Sequence, residues 1–476
     1  MLRRLGLTNF KCFESLDLPC ASLNLLCGLN GMGKSSVIQA LLVLRQSFET
    51  GDLQEGRLVL GGALADLGAG SDVLFEDAGE EVVGFALHGD LSPATWSRQF
   101  GYSRGSDQLV EVGKPLGGSG PEGAARASAG SPGGRRRRLC PVTGKPASDG
   151  SVFAPGGQDS KAKGVMNGLL RGDARAEVEL AGFADPQRIR AAVALAKEQG
   201  EKSIARPKHW LLEADEIASR DAGTAATWHE AAPFGGRLVY VQADRTGPRK
   251  SYPLSEVLAR RGDFGRRGEY AWNYLNEHQN DSLPAGDPRC ANGSTRRLRG
   301  VVDHWLQDVS PGAHLQLESV LAADAVVPGF TFDRPGDVAS RRHRATNVGF
   351  GLSYVLPVVL ALLSEPGTLT LIENPEAHLH PRGQTKLAEL ATRAAASGVQ
   401  VFAETHSDHF LDGVRLAIHD GLIAPSDVAI HYFEREGGRA VVSSPTVDAD
   451  GRLSRWPAGF FDQHEDNLAR LLAPRN

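Results

Sequence analysis

The chain is short of cysteine, of long apolar runs and of charge imbalance, and each shortage narrows what it can be. Its five cysteines, Cys12, Cys20, Cys27, Cys140 and Cys290, are odd in number and contain no C-x-x-C pair. Such a set reads as reduced thiols of a cytoplasmic protein without structural zinc. Cys27 has no His or Asn partner marked by local sequence, so it reads as a small buried hydrophobe and not as a nucleophile. The longest apolar run, Tyr354 to Leu363, falls short of the roughly 20 residues a membrane helix needs. Residues 1–20 carry charges and no long apolar core, which argues against a signal peptide and against a membrane partner. A net charge of −5 exerts no global pull toward nucleic acid, so any basic surface must be local. At 476 residues with a hydrophobic fraction of 41%, the chain is long enough for two or three domains with sizeable cores.

What is present begins with "CGLNGMGKSSV", residues 27–37, which holds the complete pattern G-x-x-x-x-G-K-[ST] from Gly28 to Ser35. That pattern needs flexible backbone whose N–H groups point at phosphate oxygens, a Lys reaching the β/γ-phosphates and a hydroxyl for Mg²⁺. Gly28, Asn30, Gly31, Gly33, Lys34, Ser35 and Ser36 are the expected ATP-binding residues. The flanks agree. Residues 22–28 are an apolar run of strand length, and residues 37–46 are apolar on most sides, as a helix packed under a sheet is. A helix beginning at Lys34 turns its amides and dipole toward the phosphates.

The rest of the chain divides by composition. Residues 1–110 read as the first half of an ATPase domain, with a hairpin over Leu2–Phe10 and residues 16–19 and a strand over Glu81–His88. Residues 111–165 are rich in Gly, Ser, Pro and Ala around the run Arg135 to Arg138, and read as a flexible insertion that cannot offset its own ordering entropy. Residues 166–340 read as an inserted region: helical over 185–220, a strand over Arg237–Gln242, a helix ending at Trp305 and Leu306, and strands around Leu315 and Phe330. Residues 341–445 alternate helix and strand as a parallel α/β sheet does. Residues 446–476 form a tail with the motif WPAGFFD. The fold class is α/β: a P-loop ATPase domain split by an inserted α+β region.

Two apolar strands end in chemistry. "TLTLIENPE", residues 368–376, delivers Glu373, Asn374 and Glu376; a carboxylate there holds Mg²⁺ through its water shell and a second orients the attacking water. "VQVFAETHS", residues 399–407, delivers His406 where a γ-phosphate can be sensed. Upstream, "NVGFGLSYVLP", residues 347–357, puts Gly351 and Ser353 at a helix start, a second anion site. Two anion sites on one phosphate-binding chain suggest a homodimer that sandwiches two nucleotides.

This order of phosphate loop, Gly/Ser helix, acidic strand and His strand resembles the ATP-binding-cassette ATPases. With "LTNFKCFESLDL" before the loop and "NPEAHLHP" after the acidic strand, the chain is similar to their SMC, RecF and OLD-like group over residues 1–75 and 340–445. "GFGLSYVLP", "IENPEAHLHP", "ETHSDHFL" and "GRLSRWPAGFFD" bring it nearer to bacterial AAA-type ATPases with a C-terminal domain of unknown function. The resemblance implies Lys34 and Gly28 to Ser35 on the phosphates, Ser35 and Glu373 on Mg²⁺, Ser353 on the partner's γ-phosphate, and His406 as the switch histidine. The usual Asp-Glu pair is replaced by Glu373 and Asn374. An amide cannot take a proton from water, so Glu376 becomes the candidate base and hydrolysis is expected to be slow or partner-dependent. No glutamine stands where cassette proteins carry a metal-sensing one, Gln39 being too early.

Function follows from the same resemblance. Relatives of this group are either chromosome and repair clamps or ATPase subunits of antiviral and toxin–antitoxin systems. No heptad pattern supports long coiled-coil arms. The reading is therefore a sensor or switch ATPase, Septu-like or PARIS-like, controlling a separate effector such as a nuclease. The alternatives are a RecF- or SMC-like clamp with DNA as partner, and a nucleotide-binding scaffold with little turnover. His378 and His380 are assigned to the dimer-facing loop and His409 to local packing, not to a metal. Trp305 and Trp456 read as packing residues; Arg245 and Arg249 either reach phosphates or decorate a turn.

Overall fold

A computed structural model describes residues 1–90, 92–112, 234, 236–255, 258, 262–290, 295–334, 340–437, 439–457, 461 and 463–473. These belong to one compact unit, Met1–Lys114 with Ala231–Asn476; the other unit, Pro115–Glu230, lies outside the described residues. The expected flexible insertion from residue 113 onward, its arginine run and the helical stretch 185–220 therefore fall outside them too. So does the WPAGFFD motif except for Trp456, Pro457 and Phe461.

The N-terminal segment supplies β1 (Leu2–Phe10), β2 (Phe13–Pro19), β3 (Leu23–Gly28), α1 (Lys34–Glu49), the single turns α2 (Asp52–Glu55) and α3 (Gly70–Val73), then β4 (Val82–Gly89), β5 (Ser92–Ser103) and β6 (Gln108–Glu111). The middle supplies β7 (Leu238–Val241), β8 (Tyr252–Pro253), α4 (Ala271–His278), α5 (Leu298–Val309), β9 (Ala313–Val320), β10 (Ala325–Phe332) and β11 (His343–Arg344). Last come α6 (Gly351–Leu362), β12 (Leu369–Glu373), α7 (Pro381–Ala396), β13 (Gln400–Glu404), α8 (Asp408–His419), β14 (Val428–Glu436), β15 (Arg439–Ser443) and α9 (Gln463–Leu472).

The fold is α/β. Its central sheet has six strands in the order β15-β14-β3-β13-β12-β7, parallel except for the β14–β15 hairpin. β13 is buried along its whole length and β3 and β12 up to their last residue, which is why their sequences are continuous apolar runs and not alternating ones. Helices cover the sheet, and α6 contributes Val355, Leu356, Val358 and Val359 to the core. Burying each such side chain is worth about 1.5–3 kcal/mol before entropy is counted. The apolar run Tyr354 to Leu363 is thus a core helix.

A second, antiparallel sheet runs β2-β1-β4-β5-β6. The amide of Gln400, buried under this join, accepts from the Leu2 amide at 2.8 Å and donates to the Leu2 and Ala21 carbonyls, tying β1 to β13. A third, smaller sheet pairs β10 with β8, β9 and β11. The described part of the inserted region, from residue 234 onward, does not stand apart from the ATPase core. β7 is an edge strand of the central sheet, and Trp272, Val302, Trp305 and Phe330 share one apolar cluster with α6 and β13. The buried pair Arg289–Asp287, 2.7 Å apart, extends this join by donating to the Leu362 and Ser364 carbonyls. Among the described residues, no helix is long and apolar enough to cross a membrane.

Candidate nucleotide site

The loop from Gly28 to Gly33 joins β3 to α1 at the end of the sheet where the parallel strands finish. Gly28 has φ +133, and a Cβ on it would lie 2.3 Å from the Phe433 carbonyl oxygen, so only glycine fits beside β14. The loop floors a cleft of about 570 Å³ that is lined by Asn30, Gly31, Gly33, Lys34, Ser35 and Ser36. All of the expected loop residues except Gly28, which sits beneath it, line this one cleft.

Lys34 is only 2% exposed. Its ammonium donates to the Gly28 and Leu29 carbonyls at 3.0 and 2.7 Å, bonds that phosphate oxygens could replace. Burial lowers its pKa, and the nearby Glu404 charge works the other way. Ser35 donates its hydroxyl to both oxygens of Glu404, at 2.8 and 3.1 Å. Glu404 was not singled out in the sequence. The signal available was a carboxylate ending a buried strand, but nothing local says that β13 lies between β3 and β12 and so brings that carboxylate to the loop. Burial pushes the Glu404 carboxyl above its ordinary range, the Ser35 hydrogen bond pulls it down, and Glu373 and Glu376 push it further up.

The other acids have different partners. Glu373 accepts from the Tyr240 hydroxyl at 2.9 Å and the Ala243 amide at 3.0 Å, so its bonds run toward β7 and not toward Ser35. Glu376 accepts from the Thr405 hydroxyl at 2.9 Å and the His406 amide at 2.8 Å, and burial raises its pKa. Asn374 has φ +44, a left-handed conformation that Asn tolerates better than Glu does. Its backbone geometry is therefore a sufficient reason for an amide where cassette ATPases carry an acid. Its side-chain oxygen is buried without a partner among the described residues. His406 is exposed and is not among the residues that line the cleft; its imidazole pKa is lowered by partial burial of the ring and by Lys34.

Two expectations change. Ser353, expected on a partner's γ-phosphate, is buried within its own chain: it is the third residue of α6, 3% exposed and packed near Tyr252. The helix phase that buries Leu352 and Val355 buries Ser353 with them. What the turn exposes instead is Gly349 and Phe350, the latter 52% exposed, with its ring edge-on to Tyr354 and tilted against His378 at centroid distances of 5.9 and 5.5 Å. Gly351 is half-buried against the His378 carbonyl. Arg245 neither reaches the cleft nor decorates a turn. It is 1% exposed, donates to the carbonyls of Gln242, Tyr354, Glu373 and Asn374, and burial lowers its pKa to about 10. His380 caps α7 by accepting from the Arg382 amide, and no group of three metal-binding side chains occurs among the described residues.

The cleft is also lined by Gln39 and by four residues missed in the sequence, Lys11, Asp72, Arg435 and Arg439. Gln39 accepts from Lys11 at 2.7 Å, so the glutamine set aside as too early does line the cleft. The donor set suits a nucleotide with Mg²⁺: cationic groups and loop amides for phosphate, and hard oxygen donors on Ser35 and Glu404 for the metal. Bound there, Mg²⁺ would neutralise charge on the phosphates.

Two family models match parts of the chain. Residues 316–412 match the family described as "AAA domain, putative AbiEii toxin, Type IV TA system", and residues 423–471 match "Protein of unknown function (DUF3696)". Among curated proteins none matches the chain. Solved structures with similarity include the Smc head domain with an extended coiled coil bound to the C-terminal domain of ScpA from Pyrococcus furiosus. It is 12% identical, with 99% of each chain covered and a TM-score of 0.39. The SMC head domain from Thermotoga maritima is 12% identical, with 94% of this chain and 99% of that chain covered and a TM-score of 0.37. The complete phosphate loop marks a P-loop nucleotide site, and the AAA-domain match covers residues 316–412 alone.

Proposed function

We propose that the chain binds and hydrolyses ATP, dimerises around the bound nucleotide, and acts as the cytoplasmic sensor or switch subunit of a bacterial antiviral or toxin–antitoxin-like system that controls a separate effector, a nuclease. The observation that carries the ATPase part is a complete phosphate loop met by the strand-end carboxylate Glu404, with Glu373 and Glu376 near enough to Glu404 to raise its pKa. ATP-driven association followed by hydrolysis is a switch, since the two states differ in the contacts the γ-phosphate makes. The AAA family description names a Type IV toxin–antitoxin toxin, which favours the system-subunit reading over a chromosome clamp. The longest helices among the described residues, α1 and α7, have 16 residues each, too short for a clamp's arms.

Dimerisation has support in two exposed apolar side chains, Leu29 on the phosphate loop and Phe350 before α6. The organisation we propose keeps residues 111–165 as an insertion and residues 446–476 as a tail, with the catalytic roles on Glu376, Glu373, His406 and Asn374. The test is calorimetry of ATP binding together with purification alongside the products of neighbouring genes. Lys34→Ala is expected to lose ATP affinity while staying folded, and the wild type to co-elute with an effector. Unchanged affinity in a folded Lys34→Ala variant overturns the phosphate-loop assignment.

A further inference from the structure

We propose that Glu404, and not Glu373, is the carboxylate through which this site holds Mg²⁺ beside the nucleotide; the proposal rests on the nucleotide-binding reading above. β13 lies next to β3, so its last side chain emerges directly beside the loop that β3 feeds. Both Glu404 oxygens face the Ser35 hydroxyl, and one lies 4.0 Å from the Lys34 ammonium. Glu373 pairs in register with Glu404 but one strand further from the loop. Its oxygens are already taken by the Tyr240 hydroxyl and the Ala243 amide on the side of β7.

The chemistry favours the same choice. Mg²⁺ takes oxygen donors, uses only one or two carboxylates and keeps several waters. Ser35 and Glu404 are an oxygen pair the fold has already assembled next to the phosphate loop. Glu404 is 7% exposed, with one hydroxyl and one cation at salt-bridge limit as its compensation. A buried carboxylate so sparsely paired is costly, and a divalent cation supplies the missing charge. Glu376, by contrast, has each oxygen engaged by β13's continuation at Thr405 and His406.

The experiment is calorimetry of ATP binding to the full chain with and without Mg²⁺, for wild type, Glu404→Gln, Glu373→Gln and Lys34→Ala, with thermal melts to check folding. Gln keeps the shape of Glu404 and its bond to Ser35 but removes the charge. Glu404→Gln, relieved of a negative charge beside the phosphates, is expected to bind metal-free ATP at least as well as the wild type and to lose the Mg²⁺ enhancement by about 10–100-fold, whereas Glu373→Gln keeps most of it. If Glu404→Gln does not fold, Glu404→Asp, which withdraws the charge by one methylene, is expected to weaken the enhancement. Full enhancement in the Glu404 variant, or an equal loss in Glu373→Gln, overturns the proposal. A wild type that binds ATP without any help from Mg²⁺ overturns it while leaving the nucleotide reading intact. A wild type that binds no ATP, like the expected Lys34→Ala, overturns both.

Discussion

The Arg245 guanidinium lies 2.8 Å from the carbonyl oxygen of Glu373, and the same fork holds the Asn374 and Tyr354 carbonyls. One buried side chain thus binds the loop after the acidic strand to helix α6. Arg245→Ala leaves these carbonyls without donors in a dry site and is expected to cost about 3 kcal/mol or more. Arg245→Lys should recover only part, because an ammonium cannot reproduce the planar fork. Chemical denaturation checks both, and an Ala variant as stable as wild type would show the fork to be unimportant.

Glu376 is the candidate base, and burial raises its pKa, toward the range where a base works near neutral pH. Glu376→Gln is expected to keep ATP affinity, to accumulate an ATP-bound dimer, and to lower turnover by at least ~10²-fold. Asn374→Ala should act more mildly. Steady-state hydrolysis and gel filtration with ATP are the measurements; a wild-type rate in Glu376→Gln places the base elsewhere.

Two loop glycines should respond differently to alanine. Gly28→Ala drives a methyl to 2.3 Å from the Phe433 carbonyl oxygen, whereas at Gly31, φ +75, a Cβ would meet nothing within 4 Å. Gly31→Ala then costs only the left-handed backbone, about 1–2 kcal/mol. Gly28→Ala is expected to destabilise more and to distort the β3–β14 contact. Equal melting temperatures for the two variants would contradict the close packing of the loop on β14.

His314 gives a pH dependence away from the cleft. Its imidazole is hydrogen-bonded to Asp333 at 2.8 Å and lies 3.5 Å from Asp303, and these raise its pKa above 6.5 against the effect of burial. A raised folded pKa means the stabilisation is complete below pH 6.5 and is lost as pH rises through the folded value. His314→Gln should therefore lose less melting temperature than wild type between about pH 6 and about pH 8. Parallel pH curves for the two proteins would rule this contribution out.

Local order was legible and long-range order was not. The phosphate loop, its strand and its helix are contiguous, and their chemistry is set by residues a few positions apart, so Gly28 to Ser36 could be read directly. The core strands announced themselves as apolar runs because a parallel sheet buries both faces. The burial of Ser353 could not be read, since Gly351, Ser353 and Tyr354 stand close in the chain but helix phase decides which of them faces out.

By itself, then, the order of amino acids determined which segments become strands and helices and which loop can take a phosphate. Tertiary structure alone decided which acids meet that loop. Strand order interposes β13 between β3 and β12, so Glu404 reaches Ser35 across 369 positions of chain while Glu373 is turned to Tyr240. It likewise sends Arg245, an unremarkable residue after a short strand, beneath the acids instead of into the cleft. Pairing between distant strands depends on the summed packing of the whole sheet, and no local pattern encodes it.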